Sequence, residues 1–204
     1  MAPDWGADSS TLHENLVQAL CLARDQARTR KTPELENAKQ WHRHIMENLA
    51  VPDKNYIGRF RGEEGLENYE VQIGQHPGVS VIEIVDELTQ FEGRLKNAID
   101  ILDELIPVNE IPDANTFNAV IDVCAWVHSE WVRIHPFANG NGRTARIWAN
   151  YVAMRFGLPP FIRLRPRPEG EQYERVSYLA MTGEWKPTIV LFRNMFERFV
   201  NEET

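Results

Sequence analysis

Cysteine is scarce: Cys21 and Cys124 are the only two in 204 residues. That excludes a disulfide scaffold. Both lie in apolar helical patterns, where one bridge is open but two buried thiols in a reducing compartment are the expected state. No Cys/His spacing suggests zinc. No apolar run reaches about 18 residues, so no membrane-spanning helix is expected. The opening stretch Met1 to Asp8 lacks a basic segment followed by an apolar core, so the expected location is cytoplasmic, with secretion by a signal-less route left open. Basic charge is also in deficit, with 22 Lys and Arg against 30 Asp and Glu and a net charge of −8. This argues against nucleic-acid partners and against a membrane surface, although a local arginine cluster can still hold a nucleotide. There is no internal repeat and no low-complexity tract. What the chain does have is 43% hydrophobic residues, enough for one domain or for one domain with a helical arm.

Apolar spacing organises that content into helices. Residues 1 to 8 read as a frayed tail. Ser9 or Ser10 can cap a helix from about Thr11, with Leu16, Ala19, Leu20 and Ala23 on one stripe. Thr32-Pro33 opens a second helix, carried by Ala38, Trp41, Ile45 and Leu49 and ended by Val51-Pro52. Tyr56 to Arg61 and Tyr69 to Gly74 are β-prone, and the polar stretch between them predicts a hairpin. Helical spacing resumes near Val81 and runs to Leu105. Thr116 can cap the helix that leads to His135. Gly157 to Pro160 stops the next helix. A connector with Arg163, Arg165 and Arg167 follows, then two closing helices at about 171–181 and 187–200. The class is all-α with one small hairpin.

The most specific stretch is His135-Pro136-Phe137-Ala138-Asn139-Gly140-Asn141-Gly142-Arg143-Thr144-Ala145-Arg146. Pro136 ends the preceding helix, and Gly140 and Gly142 permit a tight turn. A helix then restarts. Backbone N–H groups in such a turn form a concave nest, and the helix start adds positive dipole. Arg143 and Arg146 share a helix face and suit phosphate oxygens. His135 at the mouth can titrate near neutral pH. A base beside a phosphate cradle points to activation of a hydroxyl for attack on phosphorus.

This string resembles the signature of the Fic family. Gly58-Arg59-Phe60-Arg61 followed by Val71-Gln72-Ile73-Gly74 is similar to the family's flap hairpin, and Tyr173 to Pro187 to its next helix and turn. The resemblance spans about residues 30 to 200. It implies a Fic-type helical core with a β-hairpin flap, residues 31–204, preceded by an N-terminal arm with an inhibitory helix, residues 1–30. It implies a self-inhibited adenylyltransferase moving AMP from ATP to a Ser, Thr or Tyr hydroxyl of a target protein. His135 would be the catalytic base. Phe137, Gly140, Asn141, Gly142, Arg143 and Arg146 would form the nucleotide site, with the Asn141 side chain near the α-phosphate and Arg146 at the γ-phosphate. Tyr69, Glu70, Val71, Gln72 and Ile73 would be the flap that docks the target. A homodimer is left open.

One position departs from the family pattern. An acidic residue that binds Mg²⁺ usually stands where this chain has Asn139, which implies a weakened metal site. It also leaves open a regulatory nucleotide-binding module, another donor, or removal of AMP. Ser10-Thr11-Leu12-His13-Glu14-Asn15 resembles the family's inhibitory pattern, so Glu14, flanked by Ser10 and Asn15, would pair with Arg146. His128 reads as a packed residue.

Overall fold

The computed structural model describes residue 5, residues 9–165, residue 168 and residues 171–202. Among them are seven α-helices: α1 (Ser10–Arg28), α2 (Leu35–Met46), α3 (Ile84–Leu105), α4 (Ala114–Ile134), α5 (Asn141–Arg155), α6 (Glu171–Met181) and α7 (Lys186–Glu202). Two short strands, β1 (Gln72–Ile73) and β2 (His76–Pro77), pair antiparallel, with Gln72 opposite Pro77 and Ile73 opposite His76.

The axis of the molecule is α5. Ala145, Ile147, Trp148, Ala149, Tyr151, Val152 and Ala153 bury nearly its whole circumference, as expected of a helix enclosed by others. It packs against α4, α1 and α2, while α4 also meets α3, α6 and α7. Trp41 and Trp131 lie against Trp148 with ring centroids 4.6 and 5.8 Å apart. The arm belongs to this core. Leu12, Leu16, Ala19 and Ala23 of α1 are buried, and the alanines let its backbone lie close to α5.

Helix ends follow local chemistry. Ser9 caps α1, its Oγ accepting from Leu12 N at 3.1 Å. Asp113, not Thr116, caps α4: Asp113 Oδ1 accepts from Asn115 N at 2.9 Å and Thr116 N at 2.8 Å. Helix α2 begins at Leu35, beyond Pro33, and stops at Met46, before Val51-Pro52. The expected hairpin is corrected. Residues 54–56 form a 3₁₀ turn and Tyr56 to Arg61 pairs with no strand, so the hairpin is confined to residues 71–78. Tyr56, Ile57 and Phe60 owe their β-prone look to packing on the core. Arg61 N donates to Pro136 O at 2.8 Å instead of to a sheet partner. Both cysteines are free thiols, and burial pushes the Cys124 thiol up.

Candidate active site

His135 is the residue at which α4 stops. It adopts the left-handed conformation, φ 54° and ψ 55°, and its N–H closes the helix on Trp131 O at 3.0 Å. A non-glycine residue in that region costs about 1–2 kcal/mol. The conformation turns the ring back onto its own helix, where Nδ1 lies 3.0 Å from Val132 O. A carbonyl only accepts, so Nδ1 carries the hydrogen and Nε2 keeps the lone pair. The expectation that His135 titrates near neutrality is corrected. Burial first, and the Arg61 charge beside it, hold its pKa down at about 4 against the opposing Val132 bond. At neutral pH the ring is a ready acceptor.

Residues 137–140 form a loop braced from three sides. Asn141 Oδ1 accepts from Phe137 N at 2.8 Å and Asn141 Nδ2 donates to Phe137 O at 2.7 Å. Asn141 is therefore a clamp across the loop, which uses Oδ1 and one of the two Nδ2 hydrogens. The Phe137 side chain anchors the loop in the core. It is fully buried between Phe60, Trp131 and His42. His42 of α2 is the third brace. Its ring stacks on Phe137 with centroids 3.9 Å apart, Nδ1 accepts from Gly58 N at 2.9 Å, and Nε2 donates to Asn139 O at 3.0 Å. Burial keeps it neutral, with a pKa of about 4. Its only signal in the sequence is a polar residue among the apolar stripe of α2.

Gly140 precedes α5 with φ 79°, and a Cβ there would stand 2.6 Å from Met46 Cε. The first turn of α5 then presents backbone N–H groups that have no intrahelical partner, those of Asn141 and Gly142 among them. At Gly142 a Cβ would make only ordinary contact, 3.4 Å from Arg146 Nη1, so its backbone geometry does not demand glycine. Arg143 and Arg146 follow, both 5% exposed. Burial, then repulsion from Arg146 and Arg165, lowers the Arg143 pKa to about 10. It stays cationic at neutral pH. The nest, the helix start and this crowding of cations make an anion site.

Arg146 donates to Tyr173 Oη at 3.1 Å and Leu164 O at 3.2 Å. Tyr173 in turn lies 3.1 Å from Nε2 of the fully buried His128. Tyr173 thus holds Arg146, a role the sequence signals only through the family-like stretch that begins there. His128 is packed, as expected, and kept neutral by burial and by Arg146, with a pKa of about 3.

The arm touches the site differently from the expectation. Trp5 is not frayed: it is buried, stacked on Tyr56 with centroids 5.5 Å apart, and its carbonyl accepts from Arg143 Nη2 at 3.0 Å. The rest of the 1–8 stretch lies outside the described residues, as does Arg167. Among the described residues no ion pair joins Glu14 to Arg146. Glu14 is exposed, as is Ser10 in the first turn of α1. Asn15 is buried and donates to Ile45 O at 3.2 Å and Glu47 O at 2.6 Å, which ties α1 to the end of α2.

Of the five flap residues, Val71, Gln72 and Ile73 form the first leg, whereas Tyr69 and Glu70 are its root, engaged by Arg61. Gly78 on the second leg lies over His135: a Cβ there would be 3.1 Å from His135 Cβ. Among the described residues no cluster of three His, Cys, Asp or Glu side chains could hold a metal. Asn139 contributes uncharged oxygens only. This donor set does not fit a resident Mg²⁺ ion held by the protein.

A helical core thus surrounds a neutral histidine and a glycine-bounded, arginine-lined loop with the character of an anion site. The family model for Fic/DOC matches residues 32–153, and the chain belongs to that family. The protein adenylyltransferase Fic of Drosophila mojavensis is 36% identical over 78 residues, 38% of this chain and 15% of that protein. Its Drosophila melanogaster counterpart is 35% identical over the same share. The chain thus spans about 15% of the length of the curated relatives it matches. A Fic domain containing signaling protein from Bacteroides thetaiotaomicron has the same fold, with TM-score 0.63 and 18% identity, over 93% of this chain and 69% of that one. So does Bartonella tribocorum BepC with bound AMPPNP, with TM-score 0.61 and 17% identity, over 92% and 87%. Caenorhabditis elegans Fic-1 is similar with TM-score 0.60 and 22% identity, over 96% of this chain and 53% of that chain.

Proposed function

We propose that this protein is an adenylyltransferase that moves AMP from ATP to a hydroxyl of a target protein. The observation that carries the reading is His135, neutral and protonated on Nδ1, at the mouth of the loop that leads into Arg143 and Arg146. The target oxygen attacks the α-phosphorus and the new O–P bond forms. The bond from that phosphorus to the bridging oxygen breaks, and pyrophosphate leaves. The hydroxyl proton passes to His135 Nε2. The nest and the two guanidiniums stabilise the charge that develops on the phosphate oxygens. Bound phosphates would also raise the low pKa of His135, which strengthens it as a base in the complex. Magnesium belongs to the substrate, arriving with the triphosphate as MgATP. The relatives named protein adenylyltransferase support the reading.

Self-inhibition is part of the proposal, and Trp5 is the observation that favours it. Its carbonyl accepts from the Arg143 guanidinium and so competes with a phosphate oxygen for that donor. Glu14 would act only if α1 let it reach Arg146. Labelling decides both points. Label transferred from α-³²P-ATP, and none from γ-³²P-ATP, is expected for the parent. His135→Ala should abolish it, since a positioned base contributes roughly 10²–10⁴-fold. ATP binding without label from either position would leave a regulatory module. Trp5→Ala should raise self-modification. A gain from Glu14→Gly alone would move the inhibition to Glu14.

A further inference from the structure

The end of α4 poses a problem that its sequence cannot solve locally. The last carbonyls of a helix need donors from outside it. The usual supply is the backbone N–H of the residues that follow a left-handed cap. Here the residue after the cap is Pro136, which has no N–H. The missing donors come from one residue that is about 75 positions away in sequence and fully buried. Arg61 Nη2 donates to Ile134 O at 3.1 Å, Arg61 Nε to His135 O at 2.8 Å, and Arg61 N to Pro136 O at 2.8 Å. Its positive charge also suits the negative end of the helix dipole.

The same guanidinium grips both roots of the hairpin. Nη2 donates to Val79 O at 2.7 Å, beyond the second leg. Nη1 donates to Tyr69 O at 3.4 Å and to Glu70 Oε2 at 3.2 Å, before the first. Glu70 passes the hold onward, its Oε1 accepting from Ser80 Oγ at 3.3 Å and Val81 N at 3.1 Å. Gly78 closes the arrangement, because a Cβ there would lie 3.1 Å from His135 Cβ and 3.3 Å from Arg61 Nη2. No other side chain among the described residues joins the backbone of His135 to both legs.

We propose that Arg61 is the positioning residue of this site: it holds His135 in its left-handed, Nδ1-protonated state and sets the hairpin at a fixed distance from Nε2. The proposal rests on the reading of His135 as the base. Arg61 has no part in the nucleotide nest, which is braced instead by Asn141 and His42. The two functions therefore separate: losing Arg61 should impair transfer and leave nucleotide binding intact. A misplaced reacting group costs up to roughly 10²-fold.

The test uses the whole chain with Arg61→Lys, which keeps the charge but not the fork, and Arg61→Gln, which keeps two donors without charge. Three quantities are read: the Kd for ATP, the rate of self-modification from α-³²P-ATP, and the tautomer of His135 from long-range ¹H–¹⁵N correlations of its ring. We expect a rate 10- to 100-fold lower, a Kd within about twofold of the parent, and an Nδ1-H signal that gives way to mixed tautomers. Unchanged rate and tautomer in a folded Arg61→Lys protein overturn the proposal. So does a parallel loss of ATP binding, which would make Arg61 a residue of the fold alone. If Arg61→Gln does not fold, Arg61→Lys and the ring spectrum still decide. His135→Ala separates this failure from that of the parent reading. If it transfers AMP as fast as the parent, the base assignment falls, while the tautomer measurement still reports on Arg61.

Discussion

Helix α5 carries buried arginines at both ends, and the two ends treat them differently. At the C-terminal end Arg155, 4% exposed, donates to Lys31 O at 2.9 Å, Arg30 O at 2.8 Å and the Asp103 carboxylate at 2.5 Å. At the N-terminal end Arg146, 5% exposed, reaches only a phenol and a carbonyl, and among the described residues it makes no ion pair. A buried charge without a counter-charge is costly, and natural folds rarely keep one without a use. The first end is mortar between α5, α3 and the 30–31 turn. The second is a cation awaiting an anion. The same residue type on the same helix is told apart only by what the rest of the fold brings to it.

The largest effect is expected at the mortar end. Arg155→Met strips a partner from Asp103, takes the donor from Arg30 O and leaves Lys31 O with Tyr151 Oη alone, at 3.4 Å. Removing one member of a buried pair typically costs 3–5 kcal/mol. Asp103 is one-third exposed and keeps Arg30 at 2.7 Å, so a loss of about 3 kcal/mol is expected. Urea titration measures it. The Kd for ATP per folded molecule should not move, and a weakened Kd would erase the distinction between the ends.

Arg146→Met should do the reverse. No carboxylate is orphaned, and the hydrogen bonds lost to Tyr173 Oη and Leu164 O are offset by removal of a buried charge, so stability should hold within about 1 kcal/mol of the parent. A charge-assisted contact to phosphate is worth roughly 1.5–3 kcal/mol, so ATP should bind about 10- to 100-fold more weakly. ADP, which lacks the γ-phosphate, should bind parent and variant more nearly alike. A drop in stability equal to that of Arg155→Met would show that Arg146 is mortar too.

The difference between the ends was half legible in the sequence. Periodicity located α1, α3, α6 and α7 to within a few residues, and Pro136 and Gly140 marked the loop. Those features are local, and local physics produces them. Partners are not local. Asp103 and Tyr173 reach Arg155 and Arg146 from other helices, and no spacing rule announces them. The hairpin is shorter than the sequence predicts because the β-prone Tyr56, Ile57 and Phe60 mimic a strand while serving the core. The pKa of His135 was misjudged because burial is a property of the assembled fold. That Phe137 and Asn141 also shape the loop itself is invisible in the sequence, because their partners are set by the turn and by His42 of another helix.

The smallest effect sharpens the N-terminal end. Asn139 stands where an acidic residue is usual in this family, and its backbone carbonyl is tied to His42. A substitution there should therefore leave the bond from His42 in place. Asn139→Asp introduces a negative charge near Arg143 and Arg146, with two opposing consequences. Without metal, the carboxylate repels phosphate and ATP should bind more weakly. With Mg²⁺ it becomes a charged ligand that the native residue cannot supply, and the ion should be held at lower concentration. Each effect at a partly exposed position is worth roughly 1 kcal/mol, or about fivefold. Titrating Mg²⁺ against the rate of AMP transfer should show a midpoint lowered by about that factor, while metal-free ATP affinity falls. A shift in neither quantity would mean that the triphosphate alone governs the ion and that position 139 is indifferent to charge. Weaker binding in both conditions would mean that the added carboxylate pairs with an arginine of the nest instead.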